Sequence, residues 1–147
     1  MAPTIYDRSQ REVLARRLEA LPHDRPPLWG KMNAPQMVAH LLEGFRMPSG
    51  DLVIPRRPVP LRPLVKWLMI YVLPFPKGAP TAKELLARKP STWEADVAVL
   101  RANILASEQP VASAGLADHP IFGAMSVKDW GVLLHKHTDH HLRQFGV

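Results

Sequence analysis

Apolar residues recur at helical spacing in four stretches of this chain, and the alternation that marks strands is nearly absent. Val13, Leu14, Leu18 and Leu21 form the first stripe, with Arg11, Arg16, Arg17 and Glu19 elsewhere on the surface. They predict a helix over 7–21, which Pro22 stops. A Pro-rich connection over 22–27 favours extended backbone. Asn33 followed by Gln36, with Pro35 in the first turn, reads as a capping box opening a helix that runs to about Met47. The turn signal Pro48-Ser-Gly-Asp51 follows. Ser91 with Glu94 opens the third long helix, over 91–108, with Val97, Leu100, Ile104 and Leu105 facing inward and Pro110 ending it. A connection over 111–125 leads to Ser126 and Asp129, which cap a last helix reaching about Phe145.

The middle of the chain is less regular. Pro55, Pro58, Pro60 and Pro63 forbid a long helix over 48–63. Residues 64–73 predict a short apolar helix, either buried or capping the core. Pro74 to Pro80 breaks the chain again, and 81–88 holds one or two helical turns. The expected architecture is all-α: one domain over 1–147, a four-helix bundle with a long Pro-rich connection carrying a short extra helix.

Composition narrows the chemistry. Apolar residues at 46% and charged residues at 22% suit a soluble globular protein. The absence of cysteine excludes disulfides, thiolate-bound zinc and thiol catalysis, and it fits a cytoplasmic location. The first residues lack the charged and apolar regions of a signal peptide. The longest apolar stretch, 64–75, is interrupted by Lys66 and Pro74 and is too short to span a bilayer, so no membrane partner is expected. The net charge of +6 comes from scattered arginines without interleaved aromatics, which reads as a solvated basic surface and not as a nucleic-acid footprint. Gly-rich phosphate loops and a Gly-x-Ser-x-Gly elbow are missing, and the acidic residues form no evident acid/base couple.

Histidines carry what chemistry remains. On a wheel at about 100° per residue, the last helix places Trp130, Leu133, Leu134, His137, His141, Gln144 and Phe145 on one stripe. His137 and His141 therefore point inward, one turn apart. His40 shares a face of the second helix with Met37, Gly44 and Met47. Two inward imidazoles and a third on a facing helix can hold a divalent metal and leave a position open for water or substrate. Gly44, one turn beyond His40, reads as room for a ligand. Glu43 is a candidate to orient His40, and Gln144 a candidate to hydrogen-bond a ligand or substrate. The other histidines take blander readings: His23 and His135 solvated, His140 at the surface with a hydrogen bond to a ligand as the second choice, His119 packing its own loop with a place at the cavity mouth as the second. Zinc is the first candidate because three imidazoles suit it; nickel, iron, manganese and copper fit the same donors.

Four fragments carry a family resemblance: Leu28-Trp-Gly-Lys-Met-Asn-Ala-Pro-Gln-Met-Val-Ala-His40, His119-Pro-Ile-Phe-Gly123, Trp130-Gly, and His137-Thr-Asp-His-His141-Leu-Arg-Gln144. In these the chain resembles the DinB-like superfamily, and more closely a branch described only as a domain of unknown function. The resemblance implies a four-helix bundle, a divalent metal on His40, His137 and His141, and frequent homodimers. Some members of that superfamily are transferases or isomerases using low-molecular-weight thiols. The expected function is thus a metal-dependent transferase or hydrolase acting on a small molecule, with such a thiol as one candidate partner. The competing expectation is a non-catalytic binding or stress-response protein on the same scaffold, metal-stabilised or metal-free. The Pro-rich segment 48–80 departs from typical members and is expected to reshape the entrance to the site.

Overall fold

The computed structural model describes residues 1–108 and 115–147. Those residues are helical, with five α-helices and no strand: α1 Arg8–Glu19, α2 Ala34–Gly44, α3 Arg62–Trp67, α4 Trp93–Ala106 and α5 Val127–Gln144. The predicted stop at Pro110 and the start of the following connection lie outside the described residues.

Local chemistry explains where the long helices begin. Asn33 and Gln36 complete the expected capping box, each side chain bonding the other's backbone N–H at 2.9 Å. Ser126 and Asp129 do the same at 3.0 and 2.8 Å. The cap of α4 sits one residue later than the sequence suggests. Thr92 accepts from Ala95 N, while Ser91 spends both its hydroxyl and its N–H on the buried Asp96 carboxylate, at 2.7 and 2.8 Å.

Both α1 and α2 pack against α4 and α5. Their shared core contains Leu14, Leu18, Met37, Leu41, Leu100, Ile104, Leu142 and Phe145. Val13, placed on the inward stripe by spacing, is exposed instead; Arg11 takes the buried position. Its guanidinium donates to the carbonyls of Tyr6 at 2.5 Å and Ser107 at 3.2 Å, tying the N-terminal segment to the end of α4. A second apolar cluster, with Met47, Ile54, Ile70, Phe122, Met125, Trp130 and Leu133, lies between the irregular connection and the start of α5.

The short apolar segment is helical but not buried. After α3 the chain widens into a π-helical turn, Leu68–Val72. Only Ile70 of this stretch is fully enclosed; Leu64, Trp67, Val72 and Leu73 are exposed. Lys136 of α5 holds the turn in place. Its ammonium donates to the carbonyls of Met69 at 2.5 Å and Ile70 at 3.3 Å, and to that of Leu73. A 3-10 turn, Lys83–Leu86, falls where one or two helical turns are expected.

Candidate metal centre

His40 comes from the middle of α2 and is buried; His137 and His141 come from successive turns of α5. The three Nε2 atoms converge. His40 Nε2 lies 2.9 Å from His137 Nε2 and 3.1 Å from His141 Nε2. Two nitrogens bound to one tetrahedral ion at ~2.0–2.1 Å would stand about 3.3 Å apart, so the spacing is close to that of a ligand set. Among the described residues, these three are the one group of histidine or acidic side chains close enough together to hold a metal ion.

The hydrogen bonds behind the rings decide which nitrogens carry protons. His40 Nδ1 meets the Leu85 carbonyl at 3.3 Å, and a carbonyl only accepts. The proton therefore sits on Nδ1, leaving a lone pair on Nε2. Gln144 donates its amide nitrogen to the Trp29 carbonyl at 2.9 Å, so its Oε1 is the atom facing His141 Nδ1 at 2.7 Å. His141 Nε2 is a lone pair by the same reasoning. Two lone pairs then face each other across 3.1 Å, and a single proton on His137 Nε2 could serve only one of them.

Protonating the cluster is no remedy near neutral pH. Burial pushes the His141 imidazole down to about 3 and lowers His40, while burial and then the neighbouring histidines hold His137 well below the ordinary range. A bound cation satisfies all three nitrogens at once, so the donor set fits a divalent metal.

Gly44 lines the cavity above the trio, as its spacing suggests, and has a second use. A Cβ at Gly44 would stand 3.2 Å from His137 Nδ1 and 3.3 Å from its Cε1, so the missing side chain lets the imidazole lie against α2. Gly44→Ala should favour the helix by up to about 1 kcal/mol while displacing this ring. The expected result is weaker metal binding in chelator competition, with no loss of helicity by circular dichroism; unchanged affinity would contradict it.

Glu43 does not orient His40. Its buried carboxylate pairs with Arg46 at 2.8 Å and Arg88 at 3.2 Å, fixing α2 to the residues that follow the 3-10 turn. The acceptor behind His40 is the Leu85 carbonyl, a backbone group that no residue pattern announces. Gln144 takes the position of ligand support on His141. His140 is half-buried rather than at the surface, packed near Trp29 and Phe75 with ring centroids at 5.6 and 5.7 Å. His135 is buried, its Nε2 bonded to Gln10 Oε1 at 3.0 Å, because α1 covers that side of α5.

His119 braces its own loop. The N–H groups of Ile121 and Phe122 donate to its Nδ1 at 3.1 and 3.2 Å, so its neutral form carries the proton on Nε2. Burial pushes this imidazole down to about 4. An unfolded histidine titrates near 6.5, so this contribution to stability is complete above that pH and is lost as pH falls towards 4. About 2 kcal/mol should disappear between pH ~7 and ~5. Urea unfolding of metal-free protein at both pH values tests this: His119→Asn, which keeps an acceptor but cannot titrate, should lose less than the parent.

Above the trio opens a cavity of about 530 Å³, within the ~300–1,000 Å³ range of small-molecule sites. Phe75 and Pro80 of the Pro-rich segment and Leu86 of the 3-10 turn line it together with His119 and Trp130. No helix among the described residues is long and apolar enough to cross a membrane. A family model described as "Protein of unknown function (DUF1569)" matches residues 30–146, a span containing the trio, Gln144 and His119. No curated protein matches the chain, and no solved structure does.

Proposed function

The chain belongs to the DUF1569 family, whose description names no activity, and from that starting point we propose a divalent-metal-dependent enzyme, a transferase or hydrolase acting on a small molecule. The observation that carries this reading is the convergence of three imidazole Nε2 atoms at one end of a ligand-sized cavity. His40, His137 and His141 would hold the ion. When bound, it would supply Lewis acidity and activate a coordinated nucleophile near neutral pH. The chain's own residues supply the rest. The Leu85 carbonyl and Gln144 fix two of the rings with their lone pairs turned inward. The largely apolar walls lower the polarity around the reacting groups.

Zinc is the first choice of metal, with nickel, iron, manganese and copper as alternatives. The architecture is read as a DinB-like four-helix bundle built from α1, α2, α4 and α5, supported by the packing of both α1 and α2 on α4 and α5. That resemblance also makes a low-molecular-weight thiol a candidate reactant. The absence of a fourth histidine or acidic donor in the cluster, among the described residues, favours an open coordination position over a purely structural site.

The test uses protein purified without a polyhistidine tag. Elemental analysis should find about one divalent ion per chain. Transfer and hydrolysis assays should show turnover that chelation abolishes and a single added metal restores. Turnover indifferent to chelation would overturn the reading. Metal retained through purification with no turnover on any substrate class would favour the non-catalytic binding or stress-response role.

A further inference from the structure

The cavity above the histidines has a chemistry of its own. Among the described residues that line it none is acidic, and Lys31 alone carries a permanent charge. Met32, Met47 and Met69 contribute to the wall, and unbranched thioethers adapt to irregular apolar shapes. Phe75 and Trp29 add aromatic surface. Its polar lining side chains are those of the trio, Gln144, His119, His140, Thr81 and Lys31. The amide of Gln144 is already committed to His141 and Trp29. The Nε2–H of His119 has no partner among the described residues, so a neutral donor remains on the cavity wall. Leu86 and Ile121 line the cavity and are also exposed to solvent, which places them at its mouth.

We infer that the cavity takes a largely apolar molecule, with one polar group directed at the trio and the rest, without charge, in contact with the methionine and aromatic walls. A charge on the part of the ligand away from the trio would lose its hydration against these walls with Lys31 as the one permanent charge among the described lining residues, which costs far more than burying a neutral group does. This rests on the metal-site reading for the polar end and on the cavity lining alone for the apolar end. It is narrower than the small-molecule class proposed above, because it disfavours anionic peptide thiols as the molecule that fills the space.

Two measurements separate the two parts. Cobalt-loaded full-length protein is titrated with imidazole, phenylimidazole and imidazole propionate, which share one donor and differ in the tail, and the visible absorption of cobalt reports binding. Phenylimidazole should bind about tenfold tighter than imidazole, from burial of the phenyl ring, and the propionate more weakly than either. Equal affinities, or tightest binding by the propionate, would overturn the inference. Metal-free protein is titrated separately with the neutral fluorophore Nile red. Its fluorescence should rise on binding, and Leu86→Glu or Ile121→Glu at the mouth should weaken it about fivefold or more without changing cobalt content. If cobalt fails to bind, the metal reading fails, while Nile red binding that these substitutions weaken still supports an apolar ligand. No Nile red binding to the parent protein would reject the apolar cavity whatever the metal result.

Discussion

Alanine at position 137 is expected to strip the metal from this protein. His137 reaches the cluster from α5, with its Nε2 2.9 Å from that of His40, and no other histidine or acidic side chain among the described residues is placed to substitute for it. A graded series separates coordination from support. Gln144→Leu removes the acceptor behind His141 but no ligand, so affinity should fall by about 10–100-fold with one site retained. His137→Ala should fall further than that. His135→Ala, on the far side of α5 against Gln10, should keep the parent's metal content. Elemental analysis and chelator competition on untagged proteins measure all three. Equal metal content in the His137 variant and the parent would refute the assignment.

Trp130→Ala should cost about 3–5 kcal/mol of folding stability. The indole is 1% exposed, and it sits in the cluster with Met47, Ile54, Ile70, Phe122 and Leu133 that joins the irregular connection to α5. Its Nε1–H donates to the Ala117 carbonyl at 3.1 Å, so truncation leaves both a void and an unpaired acceptor. For a chain of this size the melting temperature should drop by roughly 10 °C. Trp130→Phe keeps most of the apolar volume and should recover more than half of the loss. Thermal unfolding of metal-free protein is the measurement, because bound metal would add its own stabilisation. A loss below about 1 kcal/mol would mean that the cluster relaxes around the gap.

The three histidines were legible because helical geometry is strict. A four-residue spacing on an inward stripe leaves little freedom in where His137 and His141 point, and His40 lies on a helix whose start is marked by a complete capping box. The all-α class was readable for the same reason. What escaped depends on contacts between distant segments. The wheel assigns α5 one buried face, yet the helix is covered on two. The N-terminal segment lies along it, with Ile5 N bonded to the Gly131 carbonyl at 3.0 Å, and Gly131 lets the Tyr6 ring approach. His135 is buried by that cover, and Lys136 is recruited by the π-helical turn on the other side. Glu43 looked like a partner for His40 because it lies three residues away, but arginines at 46 and 88 claim it. The one-residue error in the α4 cap has the same kind of cause: Asp96 outcompetes the backbone for the Ser91 hydroxyl.

The convergence of residues 40 and 137 joins points 97 positions apart in a chain that has no cysteine. A cation gripped there is a reversible cross-link. Because the fold alone brings these residues together, an ion bound there stabilises the folded chain by mass action, by about 2.7 kcal/mol when free metal stands at about 100 times its dissociation constant. Losing such an ion would loosen the whole polypeptide, so the supply of metal would set how long each molecule survives proteolysis.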